Sequence, residues 1–449
     1  MEKRLDFTTG RIVLPLLQFV GPVLSALFLQ ALYGAIDLMI VGRFAESADI
    51  SAVGTGSQIM MTFTNLISSL AMGITVLLGQ KIGEKNAEEG GRITGSGILL
   101  FLVIGTVMTL CISILAPQIA SILHAPEEAF LETTSYIRIC GAGSIIIISY
   151  NLIGSIFRGI GDSSTPFYTV LIACVFNIFG DLLLVAVFQM GARGAAIATV
   201  FAQLISVFIS LAMIRKKELP FTFGLRQIKW NSHYIKKTLL IGTPIAIQDF
   251  LVGISFLIIL AIVNSLGLVY SAGVGVSQKV CGFVMLVPVA FMQSMSAFVA
   301  QNRGAGKIDR AIKGLQYAIG LSFLAGLLMF YAAFFHGDLL SGIFTKDTQV
   351  MNASAEYLKA YAIDCLFTAF LFCFIGFFNG MEYTSFVMAQ GIIGAFLVRV
   401  PVSYLMSRQT PVSLFYIGLA TPCSTILQIV MCFICFTYLK KRLHTASLK

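Results

Sequence analysis

Charge is what this sequence has least of. Only 11% of its 449 residues are Asp, Glu, Lys or Arg, about half the share of an ordinary soluble domain, while 57% are hydrophobic and mean hydropathy is +0.90. One water-soluble core cannot bury that much apolar surface, so the composition excludes a soluble globular chain and points to a polytopic membrane protein. Histidine is also scarce: His124, His233, His336 and His444 all fall in loops or tails, and neither H-E-x-x-H nor G-x-S-x-G occurs. An intramembrane hydrolase therefore has no machinery here, and the chain is not expected to be an enzyme or to carry a cofactor. "GAGK" at 304–307 lacks the P-loop spacing and its following Ser or Thr, which argues against direct ATP hydrolysis. No stretch has the look of a selectivity filter, which argues against a channel. All nine cysteines lie in apolar segments rather than outer loops, so no disulfide framework is expected.

What the chain does have is long apolar runs. A helix needs about 20 apolar residues to cross the hydrocarbon. Cutting the sequence at its polar loops gives twelve such segments, near 12–42, 51–80, 92–116, 132–157, 165–189, 193–214, 238–265, 270–301, 311–335, 353–379, 384–407 and 412–439. Runs such as "SIIIISYNLIGSIF" are apolar on every face, which suits helices rather than the alternating strands of a barrel. The first segment follows a basic start but continues apolar through Ile40 without a small-residue cleavage site, so it reads as a retained helix. Pro22 and Pro244 sit early in the first and seventh segments, where a missing N–H predicts a bend.

Lysine and arginine orient the chain. With the N-terminus inside, the inner loops and tails hold 22 of them, against Arg43, Arg193, Lys346 and Arg408 outside. Both termini are then cytoplasmic, and the net charge of +9 sits where anionic lipid would meet it, without a nucleic acid partner.

The sequence also repeats. A shift of about 221 residues lays "SAVGTGSQ" (51–58) near "SAGVGVSQ" (271–278), "GQKIG" (79–83) on "AQNRG" (300–304) and "FRGIGDSS" (157–164) on "FNGMEYTS" (378–385). The fold expected is all-α: twelve transmembrane helices in two pseudo-symmetric six-helix lobes, residues 1–214 and 238–449, joined by the basic cytoplasmic linker 215–237. An even number of helices per repeat gives parallel halves about an axis along the membrane normal, with a central cleft between them. Such a chain is suited to carrying a solute by alternating access.

Together with this repeat, "LYGAIDLMIVGRF" (32–44), the loop "RGIGDSSTP" (158–166) and the N-x-x-x-D of Asn177 and Asp181 make the chain resemble the multidrug and toxic compound extrusion (MATE) family over essentially its whole length. The resemblance implies a cation-coupled antiporter, driven by Na⁺ or H⁺, that exports small organic compounds, cationic or amphipathic. It also implies residence in the plasma membrane of a prokaryote, and a monomer is expected. A flippase for a lipid-linked saccharide, built on the same rocking lobes, is the alternative.

Buried polar residues locate the chemistry. Asn177 and Asp181 are i and i+4 on the fifth helix, hence on one face. Counted from the outer ends of their helices, Asp181, Asp37 and Thr199 all lie roughly 9–12 Å below the outer surface. Two carboxylates, an amide and a hydroxyl at one level can form an oxygen pocket for Na⁺ or hold a proton. The family resemblance assigns the coupling cation to this set: Asp37, Asn177, Asp181 and Thr199. The plainer alternatives are an interfacial acid near Arg43 and an interhelical hydrogen bond. In the second half, Asp249, Lys279, Asp364 and Arg399 are intramembrane charges, either substrate contacts in the cleft or structural pairs. The 221-residue shift carries Asp37 and Asp181 onto Ile258 and Val402, so the cation site is expected in the first half alone.

Overall fold

Apolar segments this long leave the backbone one economical way to satisfy its hydrogen bonds in lipid, within each helix. A computed structural model of the chain describes residues 5–217 and 219–447, and no β-strand occurs among them. Among the described residues eleven helices are long and apolar enough to cross a membrane, and a bent pair makes a twelfth. In order they are α1 (Val13–Phe44), α2 (Ser47–Gly83), α3 (Ala87–Ile122), α4 (Glu127–Ala142 and Ser144–Gly159), α5 (Ser164–Val187) and α6 (Gly191–Lys216). The second half continues with α7 (Ser232–Asn264), α8 (Leu268–Gly304), α9 (Ile308–Phe335), α10 (Thr348–Gly380), α11 (Thr384–Ser407) and α12 (Leu414–Arg442).

Most helices outrun the apolar segments that announce them, and at some of them a polar cap marks the end. Asn86 starts α3 by accepting from the Glu89 amide at 3.2 Å, and Asp347 starts α10 by accepting from Gln349 N at 2.9 Å. The segment expected as one span at 132–157 is α4, bent by 51° between its two parts. Its break falls at Gly143, which lies against Val200, and the hydroxyl of Thr109 on α3 accepts from the Ile145 amide just beyond at 3.2 Å. A neighbouring helix thus supplies one of the partners that the break removes. Pro22 and Pro244 both lie inside helices.

The described chain forms two compact units, one running to Ala246 and including Ala300–Ile308, the other comprising Ile247–Val299 and the residues from Asp309 on. In the first, α1 packs on α5, α5 on α6, and α4 on α2, α3 and α6. A core of Ile74, Leu77, Leu78, Phe101 and Phe157 fills one part, and Val41, Val53, Tyr136 and Val185 another. In the second, α10 packs on α8 and α12, and α11 on α12. Many large apolar side chains remain exposed, among them Met39, Phe28, Leu110, Ile114, Leu257 and Leu328, the outward face expected of a lipid-solvated protein.

Within the first unit the repeat-mates "GQKIG" and "AQNRG" meet. Gly83 lies against the Gln301 carbonyl and Gly304 against the Gln80 carbonyl, with no room for a Cβ at either. Two helix ends approach this closely only through glycine. Both repeats also place a π-helical turn in their fifth helix: Leu182–Val187, which starts directly after Asp181, and Gly394–Arg399, which ends on Arg399.

Candidate cation-binding site

Three helices of the first unit bring the candidate side chains together. Asp37 comes from α1, Asn177 and Asp181 from one face of α5, and Thr199 from α6, and the first three are buried with 4%, 2% and 0% exposure. Asn177 Nδ2 donates to Asp37 Oδ1 and to Thr199 Oγ1, each at 3.4 Å, and Thr199 Oγ1 donates to Asp37 Oδ2 at 3.5 Å. These bonds are about half an ångström longer than the optimum, so the cluster is gathered without being closed. The Asp181 carboxyl lies against that of Asp37, and no basic side chain acts on either. Arg43, six residues beyond Asp37 on α1, is exposed and lies over the Phe44 ring instead.

The unsatisfied atoms define what the cluster lacks. Both oxygens of Asp181 and Oδ1 of Asn177 are buried with no hydrogen-bond donor. Three orphaned acceptors and two adjoining carboxylates, surrounded by apolar helix faces, form a site that wants positive charge. Its donor set is all oxygen, the choice of a hard cation, and one of the carboxyls can equally take a proton. Among the described residues no group of three or more His, Cys, Asp or Glu gathers as a transition-metal centre would require.

Beside the cluster is a cavity of about 20 Å³, enough for a water molecule, lined by Gln30, Tyr33, Tyr150, Val170, Ala173, Asn177, Thr199, Ala202 and Gln203. Asn177 and Thr199 belong to both, so the cavity wall and the cation site share side chains. Gln30 Nε2 donates to Tyr150 Oη at 3.1 Å across it. Sequence reading missed Gln30, Tyr33, Tyr150 and Gln203. The signal was present as helical spacing: 30, 33 and 37 share a face of α1, and 199 and 203 share a face of α6.

The second unit distributes its four charges differently. Asp364 and Arg399 are buried, with 2% and 6% exposure, and feel each other's charge. Lys279 is exposed with its ammonium 6.0 Å from the Phe344 ring, and Asp249 is exposed on α7. The structure therefore brings Asp364 and Arg399 into one neighbourhood.

The MatE family model matches residues 22–183 and again 244–405. The chain belongs to the MatE family. The two matches are equal in length, and their starts repeat the interval that aligns the sequence with itself. Across the family, the chain is similar to "Probable multidrug resistance protein YoeA" of Bacillus subtilis, with 23% identity over 94% of this chain and 93% of the relative. It is 21% identical to "Multidrug export protein MepA" of Staphylococcus aureus over 90% of each chain. Among solved structures, one described as "Crystal structure of MATE in complex with MaL6" superposes with a TM-score of 0.90 at 18% identity, covering 100% of both chains. A MOP superfamily transporter from Pyrococcus furiosus, whose description speaks of a reversed polarity of its binding pocket, superposes equally well, at 0.90 and 18% identity over 99% of each. This MatE chain is thus an integral membrane transporter, not an enzyme.

Proposed function

We propose that this MatE protein is a cation-coupled antiporter that exports small organic compounds, cationic or amphipathic, across the plasma membrane by alternating access. The observation that carries the reading is the buried Asp37–Asp181 pair with its three orphaned acceptor oxygens. A site so built is stable only when a cation or proton occupies it, and an external ion gradient supplies one from the outside. One charge moving down a 100 mV potential provides about 2.3 kcal/mol, to which the concentration gradient adds. Binding between α1 and α5 draws Asp37 toward Asp181 and tightens the long bonds to Asn177 and Thr199. Because those two side chains also line the water-sized cavity beside the site, tightening is passed to Gln30, Tyr33 and Gln203 on the same wall, and in this reading that shift of α1 against α5 and α6 couples cation entry to substrate release.

The relatives' names support drug-like cargo rather than a lipid-linked saccharide, since YoeA and MepA are described as multidrug proteins. Both termini are cytoplasmic in this reading, and the protein acts as a monomer.

The test is efflux from proteoliposomes containing a fluorescent organic cation, with an imposed Na⁺ or H⁺ gradient. Export stimulated by one gradient, and abolished in Asp37→Asn and Asp181→Asn while both variants insert and purify normally, is expected. Undiminished gradient-driven export by either variant overturns the proposal.

A further inference from the structure

The second unit holds one deeply buried acid of the kind that makes the first unit's site, and it is not alone. Asp364 on α10 hydrogen-bonds to Thr425 on α12, yet its Oδ1 is buried without a partner. Facing its charge is Arg399, the last residue of the π-helical turn in α11. The guanidinium is held from α7: Nη1 donates to Ser255 Oγ at 3.1 Å, and Cζ lies 4.5 Å from the Phe256 ring centroid. Arg399 Nε has no acceptor, and no Arg399 nitrogen comes within 4.0 Å of an Asp364 oxygen. Around them stand Tyr357, Tyr361, Cys281 and Cys365, phenols and thiols with no second acid or base.

The contrast with the first unit is one of charge. Asp37 and Asp181 together carry two negative charges and no fixed cation, so they require a mobile one. Asp364 carries one, and the buried guanidinium of Arg399, beyond ion-pair contact but within reach of its field, supplies the opposite charge, which arginine keeps in proteins. We infer that Arg399 is a tethered counter-cation that prevents Asp364 from serving as a second monovalent-cation site, so that each molecule couples through a single site. The inference rests on the first-unit reading in Proposed function.

The experiment uses full-length protein purified in detergent, with thermal unfolding measured in Na⁺ against K⁺ at matched ionic strength and at several pH values. Wild type against Asp181→Asn tests the first-unit site by itself: loss of the cation or proton response is expected. Adding Arg399→Gln to Asp181→Asn is expected to restore a response, a Tm rise of roughly 2 °C or more at saturating ligand. The Na⁺ series identifies a metal ion at Asp364 and the pH series a proton. Adding Asp364→Asn as a third change removes the response again. Insensitivity of the Asp181→Asn/Arg399→Gln protein to both, or a restored response that survives Asp364→Asn, overturns the inference. If Asp181→Asn alone keeps the wild-type response, the first-unit reading fails; if Asp364→Asn then removes it, Arg399 does not block the site and the inference fails too. Should Arg399→Gln fold poorly, Asp364→Asn/Arg399→Gln is expected to recover yield and Tm, since it leaves no uncompensated charge; no recovery counts against the pairing. Arg399→Lys, which keeps the charge, is expected to show no restored response.

Discussion

Asp181 is fully buried, and no donor reaches either of its carboxylate oxygens. Such a group costs several kcal/mol unless positive charge completes it. Its neighbours grade the effect. Asn177→Ala removes the one side chain that bridges Asp37 and Thr199, and is expected to raise the half-saturating cation concentration about tenfold, the equivalent of one hydrogen bond to a charged group. Thr199→Ala, at a partly exposed hydroxyl that α6 can replace with water, is expected to shift it less, by about threefold. Cation-dependent stability or transport, titrated against the gradient ion, measures both. At this scale the sequence was readable where spacing did the work, as in Asn177 and Asp181 one turn apart. Gln30, Tyr33 and Gln203 were overlooked because uncharged polar side chains inside an apolar helix stand out less than acids do, and only packing shows which of them face a shared space.

Elements add features that no composition scan contains. The π-helical turns after Asp181 and before Val400 widen the helix by one residue, which turns the flanking charged side chain relative to the regular face. The break in α4 at Gly143 is equally invisible to hydropathy, because both of its parts are apolar enough to count as one span. The close crossing of Gly83 with Gln301 and of Gly304 with Gln80 is the most testable of these features. Gly83→Ala and Gly304→Ala are each expected to destabilise the purified protein by about 1–3 kcal/mol, as overpacking does, with Tm lowered and the Na⁺ or pH response unchanged. Equal Tm for either variant and wild type would show that the crossing yields freely. The repeat made this contact foreseeable in part: the two glycines were aligned as mates, but sequence alone gave no reason for mates to touch.

At the scale of the whole molecule, function depends on which side each loop faces and on how many times the chain crosses. On the proposed orientation, which follows the positive-inside bias, the basic linker with Lys229 is expected inside and Lys346 outside. Lys229 and Lys346 are both exposed. In intact cells a membrane-impermeant maleimide is expected to label Lys346→Cys but to reach Lys229→Cys only after permeabilisation; the opposite pattern would invert the topology. The sequence by itself determined the class of molecule, the number of crossings, the duplication and the family, because each is written in composition, in period or in the order of motifs. It also singled out the four side chains of the candidate site, since intramembrane polarity is rare enough to stand out. Only tertiary structure decided that these four side chains meet, that Asp181 is left without donors, and that Asp364 has Arg399 for company while Asp37 and Asp181 have no base. Those facts depend on which helix faces pack against one another, and in lipid the apolar residues that fill those faces read alike whether they touch protein or hydrocarbon.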